Sequence, residues 1–220
     1  MNPDLPIVLG SRSPRRKDLL AQLLPNREQQ IEILPPSSSE EATFEGLKTW
    51  DDIEARLQSI AQTKLKDVRQ QIQHRENQPI VITADTVIVA TNPADNDACV
   101  VLGQPPSVDW QNTVREWFKS FLIGKTHHAA TAYCVSYGEL TFGQTVRTAV
   151  TFHNLAEKWI DWYLETGEPI GKAGGYAIQG AGSVFVSQVT GSLSNVIGLP
   201  QREVLEALLK ISNTDTNSIR

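Results

Sequence analysis

Phosphate-handling chemistry is most concentrated between Ser11 and Arg16. Ile7-Val8-Leu9 is a short apolar run cut off by Gly10, and Ser13-Pro14 then gives an N-cap residue followed by proline at the first helical position. The run Ser11-Arg12-Ser13-Pro14-Arg15-Arg16 therefore sets hydroxyls and guanidinium groups at a helix start, where free backbone N–H groups and the dipole already favour anions. A capped helix with a solvated basic turn would explain this segment equally well. Lys64 carries more information, because at 100° per residue it falls inside the apolar stripe of Leu57, Ile60, Ala61 and Val68. A lysine there either meets an anion or snorkels at the edge of the stripe.

Asp85 interrupts the apolar run Ile80 to Ala90, and an unpaired buried carboxylate costs several kcal/mol. The expectation is that Asp85 ends the strand at a wet cleft, binds a cation, or does both; the plain alternative is an Asp-Thr turn between two shorter strands. Glu40 and Glu41, in a loop, offer a second hard oxygen ligand for Mg²⁺ or remain merely solvated. Between Gly167 and Gly182, Lys172 and Gln179 stand among glycines, so backbone can approach a ligand while two polar side chains orient it. This is not a Walker A loop: one spacer is missing and Ala173 follows the lysine. His127 and His128 are adjacent and cannot share one face, His74 and His153 are distant, and Cys99 and Cys134 have no zinc spacing, so neither a zinc site nor a disulfide framework follows.

These groups must be positioned by alternating strands and helices. After the strand at 7–9, Leu19, Leu20, Leu23 and Leu24 supply the buried stripe of a first helix closed by Pro25, and Ile31 to Leu34 reads as a strand. A long helix runs from Asp51 to about Ile72, Ile80 to Ala90 is the strongest buried strand, and Cys99 to Leu102 follows a polar hairpin tip. Val114, Trp117, Phe118, Phe121 and Leu122 make an amphipathic helix, and Ala129 to Tyr137 and Thr145 to Phe152 are strands. Asn154 and Glu157 resemble a capping box opening a helix with Trp159, Ile160 and Tyr163; a strand at Val184 to Val189 and a helix from Pro200 to Ile211 complete the chain. Such alternation means an α/β fold with a mixed sheet.

With 220 residues at 24.3 kDa, one large or bilobed domain is expected, spanning 1–211 with a polar tail at 212–220. A net charge of −5 argues against broad electrostatic binding of nucleic acid or anionic membrane, while a small anion held by local cations is allowed. No basic leader with an apolar block and no run of 18 apolar residues appears. The expectation is a cytoplasmic protein without membrane or direct nucleic-acid partners. Exposed tryptophan-bearing helices are compatible with a homodimer, on which the sequence does not decide.

Ser-Arg-Ser-Pro-Arg-Arg with Leu19-Leu20, Ala61-x-x-Lys64, Ala84-Asp85-Thr86, Gly124-x-x-His127, the run Gly167-Glu-Pro to Ile178-Gln179-Gly180 and Ser194-Asn-Val-Ile-Gly-Leu-Pro200 resemble, in order along nearly the whole chain, the Maf family of nucleoside triphosphate pyrophosphatases. The resemblance implies an elongated two-lobed mixed-sheet α/β fold of the Maf or ITPase-like type, with a central cleft. It also implies hydrolysis of a nucleoside triphosphate to the monophosphate and pyrophosphate with a divalent cation, Mg²⁺ or Mn²⁺, and links to nucleotide-pool sanitation and cell-division arrest. By the same resemblance Asp85 is the proton acceptor and, with Glu40, a metal ligand. Lys64 and Lys172 join Asp85 in catalysis, and Ser11, Ser13, Arg15, Arg16, Thr86 and Gln179 hold substrate. Arg15, Thr86 and Gln179 match the positions that separate the dTTP/UTP branch from relatives acting on methylated guanine nucleotides. The chain departs from the family pattern at Gln104, where a lysine is usual, at Gly171, where an aspartate is, and at Ile123, where a serine is. The rival expectations are a nucleotide-binding or septum-regulating relative impaired in catalysis and a pyrophosphatase for methylated nucleotides.

Overall fold

The computed structural model describes residues 5–27, 30–38, 42–95, 98–154 and 156–217. Its centre is a seven-stranded mixed sheet in the order β2-β1-β3-β5-β6-β7, with β4 also paired to β3. The strands are β1 (Ile7–Leu9), β2 (Ile31–Ile33), β3 (Ile80–Asn92), β4 (Ala98–Leu102), β5 (Thr126–Tyr137), β6 (Leu140–Phe152) and β7 (Val186–Thr190). β1 runs parallel to both β2 and β3, and every other pairing is antiparallel. Six helices pack around it: α1 (Pro14–Leu23), α2 (Trp50–Gln71), α3 (Trp110–Trp117), α4 (Ile160–Glu165), α5 (Leu193–Ile197) and α6 (Gln201–Asn217).

The two faces of the sheet are covered differently. On one, the apolar stripe of α2, with Leu57, Ala61, Leu65 and Val68 buried, lies against Val81, Val87 and Val89 of β3 and Ala130, Ala132 and Cys134 of β5 as one continuous core. On the other, α1 and α6 cover Ile80, Ile82, Ala84, Tyr133 and Val135. A separate, largely aromatic core of Phe118, Phe152, Tyr163, Tyr176 and Phe185 covers Ile88, Ala90 and Ala129. Two separate cores thus share one face of the sheet, opposite a single core on the other.

Several expectations change. Neither a turn nor a strand end occurs at Asp85: β3 is unbroken from Ile80 to Asn92, because β5 pairs with it in register from Val81 against Ser136 through Val89 against His128. A partner strand satisfies the backbone there whatever the side chain prefers. The helix expected at Asn154 begins as a 3₁₀ turn, Ala156–Trp159, and becomes α-helical only at Ile160, with no side-chain cap. α3 widens into a π turn at Phe118–Leu122, where Ile123 N–H donates to Phe118 O at 2.8 Å. α5 was not anticipated as a helix, and α6 continues beyond Ile211 to Asn217, helped by Ser212 Oγ donating to Leu208 O at 3.0 Å. Of the tryptophans, Trp162 alone is among the exposed large side chains, whereas Trp110, Trp117 and Trp159 pack against the aromatic core. No helix of the described residues is long and apolar enough to cross a membrane.

His127 is fully buried in that aromatic core, with Nε2 hydrogen-bonded to the Tyr176 hydroxyl at 2.8 Å. Burial, reinforced by the neighbouring His128, pushes its imidazole down to about 3. The unfolded chain takes up this proton below pH about 6.5, whereas the folded chain refuses it until far lower, so the unfolded state binds more protons across that window. The stability contributed is therefore complete above pH 6.5 and drains away as pH falls towards 3. In His127→Gln the free energy of unfolding, from denaturant titrations, should fall less steeply between pH 6 and pH 4 than in the parent, by up to about 1.4 kcal/mol per pH unit. Parallel slopes in the two proteins would remove His127 from the acid limb.

Candidate active site

The site originates in a gap in the sheet. One edge of β3 pairs with β1 through Ile82 and with β4 only from Ile88, so residues 83–87 have no ladder partner on that edge, while β5 continues along the other. β1 leaves at Gly10, whose N–H donates to Ile82 O at 2.8 Å. A Cβ at Gly10 would stand 2.7 Å from Thr83 Cγ2 and 2.9 Å from Val68 Cγ2, so only glycine lets the chain turn off so close to β3 and α2. Strand alternation sends the side chains of Asp85 and Thr86 to opposite faces.

On the α2 face, Thr83 Oγ1 donates to Ala61 O at 2.9 Å and fixes the helix against the strand. One turn further on, Lys64 Nζ meets Asp85 Oδ1 at 2.6 Å, with both side chains 13% exposed. Of the two expectations for Lys64, an anionic partner and a snorkelling stem, the first is met by Asp85. On the other face Thr86 belongs to a polar layer. Arg16 donates through Nε to Gly198 O (2.9 Å), through Nη1 to Ser11 Oγ (3.1 Å) and through Nη2 to Thr86 Oγ1 (3.0 Å). Thr86 and Thr131 hydroxyls stand 2.9 Å apart, and Thr131 Oγ1 donates to Asn195 O at 3.1 Å. Since Thr86 accepts from Arg16 and Thr131 donates to Asn195, the proton between the hydroxyls is supplied by Thr86. Asn195, fully buried, donates through Nδ2 to Ala129 O and Thr148 Oγ1, both at 3.0 Å.

The helix start behaves as its residues predict. Ser13 Oγ caps Arg16 N–H at 3.4 Å, and Ser11 Oγ accepts from Ser13 N–H at 3.2 Å. The two adjacent arginines differ in employment. Arg16 is a strut tying α1, β3 and the turn after α5 together, whereas Arg15 makes no hydrogen bond with another described residue, and burial lowers its proton affinity, partly opposed by the Glu168 charge. Lys172 is lowered as well, chiefly by burial and then by Arg15. Two partly desolvated cations held near each other are in place for a polyanion.

The glycine-bearing segment closes the site. Gly174 has φ +67°, and a Cβ there would lie 2.6 Å from Ile88 Cγ1; its N–H donates to Gly103 O at 2.9 Å. The segment is thereby pressed onto β3 just beyond the gap. The resulting cavity, about 540 Å³, is lined by Ser11, Arg12, Ser13, Arg15 and Arg16 from the first turn, by Lys64, Asp85 and Thr86, and by Lys172 and Gln179. Ile88, Ile178, Val196 and Ile197 add an apolar wall, and Gln104 and Gly171 also line it.

Every residue expected at the site from the sequence therefore reaches this one cavity except Glu40, which with Glu41 lies outside the described residues. Asp85 is the only carboxylate-bearing residue among the described residues of its lining, and no group of three or more His, Cys, Asp or Glu side chains able to hold a metal occurs among the described residues. A single carboxylate would hold Mg²⁺ only together with substrate phosphates, since that ion keeps few protein ligands. Sequence reasoning missed Thr131, Asn195 and Glu168. The second lies in the quoted motif Ser194 to Pro200 and the third in Gly-Glu-Pro, so the signal was present without a role attached.

The family model for Maf, described as Maf-like protein, matches residues 6–211. A dTTP/UTP pyrophosphatase of Anaeromyxobacter dehalogenans is 36% identical over 206 residues, covering 92% of each chain. One of Pyrococcus abyssi is 32% identical over 202 residues, covering 92% of this chain and 94% of that one. A solved HAM1 protein from Coxiella burnetii is similar at a TM-score of 0.44 and 14% identity over 68% of this chain and 74% of that one, a likeness too distant to bear on function. With a family match running from β1 into α6 and relatives this similar along almost their whole lengths, the chain belongs to the Maf-like protein family.

Proposed function

We propose that this chain is a nucleoside triphosphate pyrophosphatase that hydrolyses dTTP and UTP to the monophosphate and pyrophosphate. The observation that carries this reading is the Lys64–Asp85 pair at 2.6 Å on the wall of a cavity also lined by Arg12, Arg15 and Lys172. The reaction needs a group that takes a proton from water as its oxygen bonds to the α-phosphorus, and cations that hold the leaving pyrophosphate as the α–β bridge breaks. Asp85 takes the proton, held in place by the Lys64 ammonium on Oδ1. Arg12, Arg15 and Lys172 carry the β and γ phosphates, with the Ser11 and Ser13 hydroxyls at the helix start. Arg16 acts through Thr86 and Ser11 by fixing their positions. A divalent cation, Mg²⁺ or Mn²⁺, bound by Asp85, Glu40 and substrate oxygens, would supply further charge stabilisation.

Thr86 and Gln179 face the nucleoside portion with the apolar wall of Ile88, Ile178 and Ile197. Gln104 and Gly171 replace charged residues of the family pattern, yet Asp85, Lys64, Arg15 and Lys172 are all in place, so the non-catalytic reading is not favoured. Incubation with dTTP and Mg²⁺ should yield dTMP and pyrophosphate in equal amounts. Release of orthophosphate alone would replace this reading with a phosphatase.

A further inference from the structure

Glu168 occupies the turn after α4, and its carboxylate is bonded to the far end of the glycine-bearing segment and to α4. Oε2 accepts from Ala181 N–H at 2.8 Å, and Oε1 accepts from Gly182 N–H at 2.8 Å and from the Tyr163 hydroxyl at 3.1 Å. The same hydroxyl reaches Gly175 O at 3.2 Å, so Glu168 and Tyr163 together join both ends of the segment. Charge-assisted bonds to backbone N–H groups are among the strong ones.

Gly180 is shaped around this clamp. Its φ of −120° is open to any residue, but a Cβ there would lie 2.0 Å from Glu168 Oε2. The glycine leaves the carboxylate its space. Gln179, immediately before it, lines the cavity with an exposed side chain. Its backbone is therefore held from the following residues by Glu168, and from the preceding ones by the contact of Gly174 with Ile88. Held in one orientation, the Gln179 amide presents an acceptor and a donor that complement the N3–H and O4 of a uracil or thymine ring; turned by 180° it would match the acceptor and amino donor of cytosine instead.

We propose that Glu168 is a positioning residue for base selection: by clamping the 180–182 turn it holds the Gln179 amide where it accepts uracil or thymine and refuses cytosine. The choice of ligand rests on the pyrophosphatase reading; the clamp itself does not. The test uses calorimetry with the α,β-imido analogues of dTTP and dCTP in the presence of Mg²⁺, so that no turnover is needed. Wild type should prefer the dTTP analogue, and Glu168→Gln, which turns one acceptor into a donor facing an N–H, should lower that preference about tenfold, the loss of roughly one hydrogen bond. Gly180→Ala, which keeps the charge but pushes the carboxylate off its donors, should do the same, and it carries the test if Glu168→Gln does not fold. In a Gln179→Ala background neither change should lower the preference further. Equal weakening of both analogues, losses that multiply in the double variants, or no preference in the wild type would each overturn the proposal. A wild type that prefers the dTTP analogue yet releases no pyrophosphate from dTTP would instead sink the catalytic reading and leave the clamp standing.

Discussion

Asp85→Asn turns over dTTP at least about 10²-fold more slowly than the parent, the scale of losing a general base, with its circular dichroism unchanged. The argument rests on what asparagine keeps and what it loses. It keeps the shape and one oxygen to accept from Lys64 Nζ, and Asp85 sits in a continuous strand whose ladder to β5 does not depend on the side chain. It loses the negative charge and the capacity to take a proton. Lys64 opens on the cavity, so water replaces part of what the carboxylate gave it, and the melting temperature should fall by only a few degrees, roughly the 2–4 °C expected for about 1 kcal/mol in a chain this size. Steady-state kinetics with a thermal melt on the same sample decide the matter. Retained turnover would move the proton-accepting role to Glu40 or Glu41.

Arg16→Lys should cost both stability and activity although the charge is kept. The planar guanidinium reaches three acceptors on three separated parts of the chain: Gly198 O, Ser11 Oγ and Thr86 Oγ1. An ammonium is a point donor and cannot span that fork. Losing two charge-assisted bonds at about 1.5 kcal/mol each gives about 3 kcal/mol, or roughly 6–12 °C in melting temperature for a protein of this length. Because Thr86 and the turn after α5 both line the cavity, kcat/KM should fall by about 10² as well, consistent with the sensitivity of rate to small displacements. A lysine variant with the parental melting temperature would show that Arg16 contributes charge alone and is not a strut.

Local signals were legible and distant partnerships were not. The period of α2 placed Lys64 in an apolar stripe, where it would meet an anion or snorkel; Ser13-Pro14 announced the start of α1; the run from Ile80 announced β3. Whether Asp85 broke that strand could not be read, since the answer lies in β5, some fifty residues on, whose pairing carries the backbone straight through. Arg15 and Arg16 look alike in sequence, and only the position of Gly198, 182 residues away, makes one of them structural. Asn195 and Thr131 were overlooked for the same reason: a buried amide that bonds Ala129 O and Thr148 looks, in sequence, like any turn residue. Glu168 carried no role in the sequence because two of its donors are backbone N–H groups, which have no letter of their own.

The different covering of the two sheet faces has a mechanical consequence. The apolar contacts under α2 belong to one core, while those on the opposite face belong to two that meet along a polar seam of Thr86, Thr131 and Asn195. The seam runs through Thr86, which borders the cavity. Bending of β3 and β5 about this seam would alter the aperture of the cavity that Thr86 borders.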